Sequence, residues 1–181
     1  AGTGRGANLG ILYRGGDVVE TAAGVNTVIF DKTGTITYGK LKTAAVIPME
    51  GVSERDVLSY CATAEYGSEH PIAEAVLNRV QEDNIEAARP DSTQSVPGRG
   101  IIADLGGKKI VAGTMALMEL KKISIPENAD TKVPEGCTAI YVSVDGKYLG
   151  MIALSDTIRP DAREAIAQLN AMGIETVMIT G

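Results

Sequence analysis

The chain has 181 residues, a net charge of −6, one histidine and two cysteines. Its length suits one ordinary domain or two small ones. The negative charge argues against nucleic acid and anionic membrane surfaces as partners, because both select basic patches. Cys61 and Cys137 are far apart and form no C-x-x-C pair, which excludes the usual zinc site of cysteine and histidine. Dependence on a disulfide is not expected, because a chain of this size can bury its own core.

The start of the chain shows neither a membrane segment nor a secretion signal. No run of about eighteen apolar residues occurs, and the first ten residues are glycine-rich and polar. We therefore expect the chain by itself to be soluble and cytoplasmic. Gly2, Gly4 and Gly6 lack the preceding strand and the spacing of a phosphate-binding loop, so residues 1–24 are predicted to be a flexible lead-in.

Residues 25–31, with the sequence VNTVIFD, are almost continuously apolar and rich in β-branched side chains. This pattern predicts a buried strand of a parallel sheet. The strand places Asp31 at its carboxyl end, where α/β folds locate ligands and chemistry.

Two helices are predicted next. Ser53 is a suitable N-cap, followed three residues later by Asp56, and Pro71 suits the first turn of a second helix. Their apolar faces comprise Val57, Leu58 and Cys61 in the first helix, and Ile72, Ala73, Val76, Leu77 and Val80 in the second.

Short strands then alternate with two-residue turns at Gly106-Gly107 and Asp145-Gly146, which are signals for β-hairpins. The predicted strand pairs are Ile101–Leu105 with Lys108–Ala112 and Thr138–Val144 with Lys147–Leu154. After them, Pro160 opens a helix that Gly173 ends, and residues 174–180 predict another buried strand.

The ends of the chain thus resemble βα units of a parallel sheet, whereas the middle resembles an antiparallel sheet with helices. We predict an α/β fold interrupted by an inserted α+β domain. Residues 25–40 and 154–181 would form the Rossmann-like parallel-sheet domain, and residues 41–153 would form the insertion, an antiparallel sheet flanked by helices.

The segment 31–37, DKTGTIT, carries the strongest chemical signal. A carboxylate at a strand end can attack a phosphoryl group, and the N–H groups of a glycine-containing loop can bind its oxygens. Hydroxyls come from Thr33, Thr35 and Thr37. Positive charge comes from Lys32. The pattern indicates phosphoryl transfer to the aspartate.

This segment resembles the phosphorylation motif of the P-type ATPases, D-K-T-G-T-x-T, a family with a haloacid-dehalogenase-like fold. The resemblance implies that ATP phosphorylates Asp31, that Lys32 assists, and that Mg²⁺ is held by Asp31 and Thr33. Soluble phosphatases of the same fold group carry a second aspartate, a general acid and base, two residues after the nucleophile. Because Thr33 occupies that position, attack of water on the aspartyl-phosphate is expected to be slow.

A second motif includes Glu65, Ser68, Glu69 and His70, followed by Pro71. It resembles the S-E-H-P nucleotide motif of the heavy-metal P-type ATPases. By that resemblance His70 orients the adenine end of ATP and Glu65 contacts the adenine amino group, with Ser68 and Glu69 in the same site. The alternative is that His70 is only the N-cap of the following helix.

Gly98 and Gly100, in the sequence PGRGI, resemble the family's G-x-G element and so map onto the nucleotide pocket. Glycine would let the backbone approach a ligand closely. The alternative is a simple turn before a strand. Thr114 stands where the family usually has an asparagine that reaches the nucleotide, and it offers a hydroxyl with a shorter reach.

Near the end of the chain, Asp156 and Arg159 resemble the family's D-x-x-R hinge between the inserted domain and the phosphorylation domain, and they could pair across that junction. The alternative is simple helix capping and surface charge. Thr180 resembles the threonine of the family's T-G-D element, whose hydroxyl would touch the phosphoryl group. The aspartate of that element and the later carboxylates near Mg²⁺ do not occur in this sequence. The chain is therefore expected to be a fragment of the family's catalytic part. In the parent protein, residues 1–24 would connect it to a preceding membrane segment.

These motifs together predict the ATP-binding and phosphorylation part of a heavy-metal P-type ATPase, with Cu(I) favoured over zinc or cadmium. A soluble phosphatase and a non-catalytic nucleotide-binding module remain as alternatives. The expected partners are ATP, Mg²⁺ and the membrane and actuator domains of a parent membrane protein, on its cytoplasmic side. The transported metal is not expected to bind this chain, and the isolated chain is expected to bind ATP without efficient autophosphorylation.

Overall fold

The computed structural model describes residues 2–179, so the candidate site residue Thr180 lies outside the described part. The chain divides into two compact units. The terminal unit combines the two ends of the chain, up to Tyr38 and from Ile158 onwards, and the central unit is Gly39–Thr157. No helix in the described range has both the length and the apolar character needed to cross a membrane.

The described helices and strands are numbered in chain order. They are α1 Gly2–Asn8, α2 Gly16–Ala23, β1 Thr27–Asp31, β2 Thr37–Pro48, α3 Glu54–Ala64, α4 Pro71–Glu82, β3 Ser92–Val96, β4 Gly100–Leu105, β5 Lys108–Gly113, α5 Met115–Leu120, β6 Thr138–Val144, β7 Lys147–Ile158, α6 Ala162–Ala171 and β8 Glu175–Ile179.

The terminal unit contains a parallel pair of strands, β1 and β8, in register from Thr27 opposite Glu175 to Asp31 opposite Ile179. The predicted parallel pairing is confirmed. The predicted burial of these strands is wrong, because the side chains of one face of β1 are exposed. Ile29, for example, has 61% of its surface accessible to solvent. The pair has two strands in the described range, and α6 packs against β8. The exposed side chains of the β1 face lack a covering layer among the described residues.

The flexible lead-in predicted for residues 1–24 is also not observed. Helices α1 and α2 occupy much of this segment. In α2, Asp17 lies in the first turn, where a negative charge interacts favourably with the helix dipole, and the hydroxyl of Thr21 donates to its carbonyl oxygen at 2.9 Å. Local hydrogen bonding and charge thus favour the helix α2.

The central unit is built on a sheet with the strand order β2-β7-β6-β5-β4-β3, counted over the described residues. Neighbouring strands from β3 to β7 pair antiparallel, and both predicted hairpins are confirmed. At the second turn Asp145 and Gly146 have φ values of +50° and +77°, the left-handed conformation that such tight turns require. Strands β2 and β3 were not predicted from the sequence.

Each face of this sheet carries its own apolar core, since alternate residues of a strand point to opposite sides. On β4, Ile101 and Ala103 contribute to the core beneath α3 and α4, and Ile102 contributes to the core beneath α5. Helix α3 begins with a capping box in which Ser53 and Asp56 satisfy each other's backbone N–H groups, as predicted.

Candidate functional site

Asp31 lies at the end of β1, exposed, and is followed by a tight turn over Lys32–Ile36. Within the turn Thr33 has an extended backbone and Gly34 has φ +77°, a value that favours glycine. The hydroxyl-bearing residues Thr33 and Thr35 are exposed next to the carboxylate. The turn therefore presents a carboxylate and hydroxyl groups together at a strand end, in an arrangement suited to an incoming phosphoryl group.

Thr37 has a different role from the one its sequence position suggested. Its side chain is 3% exposed, and its Oγ1 accepts a hydrogen bond from the Gly34 N–H at 3.2 Å. The same oxygen donates to the Lys32 carbonyl at 3.0 Å. The Thr37 hydroxyl therefore holds the turn together from behind instead of contributing to an exposed phosphate cradle.

A magnesium ion at this turn would depend on few protein ligands. Mg²⁺ is commonly held by one or two carboxylates together with water and phosphate oxygens. Asp31 supplies an accessible carboxylate and Thr33 lies beside it, so both fit such a role. Within residues 2–179 no group of three histidine, cysteine or acidic residues is positioned to hold a metal ion, so these ligands are at most part of a coordination shell.

The Asp156 and Arg159 side chains each have partners among the described residues. In the central unit, a carboxylate oxygen of Asp156 accepts a hydrogen bond from the Lys40 N–H at 3.0 Å. In the terminal unit, Arg159 pairs with Asp161 at 3.5 Å and lies 5.1 Å from the centre of the Tyr38 ring.

The central unit contains a cavity of about 430 Å³, here called the Glu65–His70 cavity. That volume is within the range of small-molecule sites. Its wall combines three parts of the sequence, namely the segment from the end of α3 into α4, strand β3 with the turn into β4, and the residue after β5. The lining residues are Glu65, Tyr66, Gly67, Ser68, His70, Ile72, Thr93, Ser95, Val96, Gly98, Arg99, Gly100, Ile101 and Thr114.

Glu65 is the buried acid of this wall, with 6% of its surface exposed. It caps the carboxyl end of α3, and its carbonyl accepts a hydrogen bond from the Ser68 N–H at 2.9 Å. Burial raises the pKa of the Glu65 carboxyl, and the hydrogen bond from Ser68 and the proximity of His70 partly offset that increase. The site thus holds a desolvated hydrogen-bond acceptor against a hydroxyl and an imidazole.

His70 is both the cap of a helix and part of the cavity wall. Its Nδ1 accepts the N–H of Ile72 at 3.2 Å and so caps α4, while the residue also lines the cavity. Because Nδ1 is an acceptor, the proton of the neutral imidazole is on Nε2. The cap therefore leaves the ring with an N–H donor that is not used by the helix.

Different structural constraints favour glycine at the two positions of the PGRGI turn. Gly98 has φ +68° with open space where a side chain would begin. At Gly100, by contrast, a Cβ atom would be 2.2 Å from the carbonyl oxygen of Ala112 on the neighbouring strand. The sequence interpretation of Gly100 as a point of close ligand approach is therefore incomplete, because close packing of β4 on β5 already requires this glycine.

Thr114 joins the cavity wall through its backbone, whose N–H donates to the Arg99 carbonyl at 2.7 Å. Its hydroxyl is shielded from solvent and has no hydrogen-bond partner within the described structure. Glu69, in contrast, is exposed and is not part of the lining. Arg99 and Tyr66 also line the cavity but were not among the site residues predicted from the sequence.

Comparison with known proteins identifies the family of this chain. The sequence profile of the haloacid dehalogenase-like hydrolases matches residues 25–181. The chain belongs to this family. A copper-exporting P-type ATPase of Bacillus subtilis (strain 168) is 38% identical over all of this chain and 23% of its own length. A protein with the same description from Staphylococcus haemolyticus (strain JCSC1435) is 41% identical over 99% of this chain and 22% of its own length.

Among solved structures, a zinc-transporting PIB-type ATPase in its E2.Pi state superposes with a TM-score of 0.76 and 33% identity, over 98% of this chain and 29% of that chain. The resemblance to heavy-metal P-type ATPases inferred from the motifs is therefore confirmed, and it extends along the whole sequence. The chain spans about a quarter of the length of the curated relatives it matches.

Proposed function

We propose that this chain is the nucleotide-binding and phosphorylation part of a heavy-metal P-type ATPase. The observation that supports the proposal most is the Glu65–His70 cavity, in which Glu65 and His70 of one motif line the same space as Gly98 of a distant motif. The relatives described as copper-exporting P-type ATPases agree with it over the whole chain.

In this proposal the cavity holds the adenine and ribose end of ATP. An adenine ring carries an amino group that donates hydrogen bonds and ring nitrogens that accept them. Glu65, with its buried carboxylate, is suited to accept from the amino group. His70, whose Nε2–H is left available by the helix cap, is suited to donate to an acceptor on the ring. Of the other motif residues, Gly100 acts through strand packing, and Glu69 has no place in the wall.

Phosphoryl transfer would take place at Asp31. One carboxylate oxygen forms a bond to the γ-phosphorus of ATP while the bond from that phosphorus to the β–γ bridging oxygen breaks and its electrons leave with ADP. Lys32 offsets negative charge, and the hydroxyl of Thr180 would contact the transferred group. Asp31 and Thr33 would hold Mg²⁺, which supplies charge neutralisation when bound. Because Thr33 is no general base, the aspartyl-phosphate would persist long enough to drive a conformational change.

Copper(I) is the proposed cargo of the parent protein, since both reported relatives are described as copper-exporting. Zinc is the second candidate, because the superposed structure at 33% identity is described as zinc-transporting. In either case the chain would be a cytoplasmic part of an integral membrane protein, with its membrane and actuator domains as partners. The metal itself would bind elsewhere in the parent.

The first test is a calorimetric titration of the chain with ATP, compared with His70→Gln and His70→Asn. Asparagine is a good N-cap, so His70→Asn keeps α4 capped but lacks the reach of an imidazole. We expect both variants to bind ATP several-fold more weakly, and thermal unfolding should show that both remain folded. Native affinity in His70→Asn would mean that His70 is only a helix cap. Absence of ATP binding by the folded native chain would refute the proposed function.

A further inference from the structure

The Glu65–His70 cavity has a charged side chain for which the family motifs give no role. Arg99 lies between the two glycines of the turn before β4 and is the one lysine or arginine among the lining residues. Its guanidinium forms no ion pair or hydrogen bond with any other described residue. In a chain with a net charge of −6, an arginine without an acidic partner in the wall of a cavity is a candidate for binding an anionic ligand.

The backbone that carries Arg99 is held on both sides. Its N–H donates to the Val96 carbonyl at 2.9 Å, and its carbonyl accepts from the Thr114 N–H at 2.7 Å. A Cβ atom on Gly113 would lie 2.2 Å from that same carbonyl oxygen, so the strands are packed in direct contact at this point. Arg99 therefore leaves the turn from a fixed position, which lowers the entropic cost of using its side chain to bind a ligand.

The charges of the cavity are distributed unevenly. Glu65 is buried in the wall, whereas Arg99 is exposed at the turn. Such a site suits a ligand that carries hydrogen-bond donors at an end inserted into the protein and negative charge at an end facing solvent. A purine nucleotide has this arrangement, with an amino group on the base and phosphates on the ribose.

We propose that Arg99 binds the phosphate tail of the nucleotide and so makes the cavity prefer nucleoside phosphates over nucleosides. This inference rests on the proposed function, since it assumes that the base occupies the Glu65–His70 cavity. The planar guanidinium can donate two parallel hydrogen bonds to a phosphate, which an ammonium group cannot reproduce.

The test is calorimetric titration of ATP and of adenosine into the native chain, Arg99→Gln, Arg99→Lys and Arg89→Gln. Arg89 is an exposed arginine of the same unit that does not line the cavity, so its substitution controls for the loss of one positive charge. We expect Arg99→Gln to bind ATP about five- to tenfold more weakly and to bind adenosine within twofold of the native chain. Arg99→Lys should be intermediate, and Arg89→Gln should be unchanged. Raising the salt concentration should reduce the preference for ATP in the native chain more than in Arg99→Gln.

Two results would overturn the inference. Equal weakening of ATP and adenosine by Arg99→Gln would show that the substitution distorts the turn, and native affinity of Arg99→Gln for both ligands would show that Arg99 does not contact phosphate. His70→Gln separates this inference from the proposed function, because it should weaken both ligands alike. A chain in which His70→Gln has that effect and Arg99→Gln has none retains the proposed function and loses the phosphate role of Arg99.

Discussion

At the scale of single residues, the buried carboxyl of Glu65 links stability to ligand binding. Its burial raises its pKa, so the folded chain binds the carboxyl proton more tightly than the unfolded chain. Its contribution to stability is therefore complete below the unfolded value of 4.5 and is lost as the pH rises through the higher folded value. The ionised carboxylate, favoured at high pH, destabilises the fold, while it is the form suited to accept hydrogen bonds from a ligand.

This linkage predicts the effect of Glu65→Gln. The variant should be more stable than the native chain at pH 8, and its advantage should disappear at pH 4, where both side chains are neutral. Urea unfolding at the two pH values measures the difference. Glu69→Gln, at an exposed neighbouring position, controls for the loss of one negative charge. A stability gain for Glu65→Gln that is the same at both pH values would contradict the assigned cause.

The residues of the cavity were predictable to different degrees. Glu65 and His70 belong to a contiguous motif, and their position in one wall agrees with the motif. Arg99 and Tyr66 could not have been singled out, because an arginine or a tyrosine near a turn occurs in many unrelated surfaces. The role of Gly100 in strand packing and that of Thr37 in holding the turn could not have been predicted either. Both depend on which atoms a neighbouring strand or turn places nearby.

At the scale of helices and strands, sequence signals predicted the structure reliably where they act through contacts between residues close in sequence. The capping box at Ser53, the helix start at Pro71 and the two hairpin turns all depend on atoms a few residues apart, and all were found as predicted. Strand β3 was missed because its sequence, STQSV, is mostly polar and exposed and has no apolar alternation. Such a strand exists because β4 offers it a hydrogen-bonding edge, which sequence pattern alone does not reveal.

The contact between β4 and β5 predicts a large cost for Gly100→Ala. Gly100 has φ +141°, and its added methyl group would collide with the backbone of Ala112 and Gly113. Backbone strain and the collision together should destabilise the chain by roughly 2–5 kcal/mol. Chemical denaturation gives the value. Gly107→Ala, where φ is +81° but the space is open, should cost only about 1–2 kcal/mol. Equal costs for both variants would show that steric contact is unimportant at Gly100.

At the scale of the whole molecule, the two units differ in how well their apolar groups are buried. The central unit has a core on each face of its sheet, with Leu58, Ile110 and Ile152 almost completely buried. The terminal unit leaves large apolar side chains exposed on β1 and β8, among them Ile29 and Ile179. Its strands were expected to be buried because their sequences are continuously apolar, yet burial depends on a covering layer that a strand sequence cannot specify.

This difference predicts two classes of amide hydrogen exchange in the intact chain. Amides of β4, β5 and β6 should exchange most slowly, because opening them requires global unfolding. Amides of β1 and β8 should exchange at least about tenfold faster, through opening of the terminal unit alone. Mass spectrometry of peptic peptides, or two-dimensional NMR, measures both classes in one sample. Equal protection of β1 and β5 would show that the two units unfold as a single cooperative body.

The imidazole that caps α4 is also the only histidine of the chain. In heavy water, a simple proton spectrum of the unlabelled protein therefore contains one pair of imidazole carbon-bound proton resonances, both from His70, and needs no assignment. Their chemical shifts report on the surroundings of the ring as nucleotide is added. The fold thus contains its own spectroscopic probe in the wall of the proposed binding site. That probe is the imidazole of His70, the group that the first test of the proposed function changes.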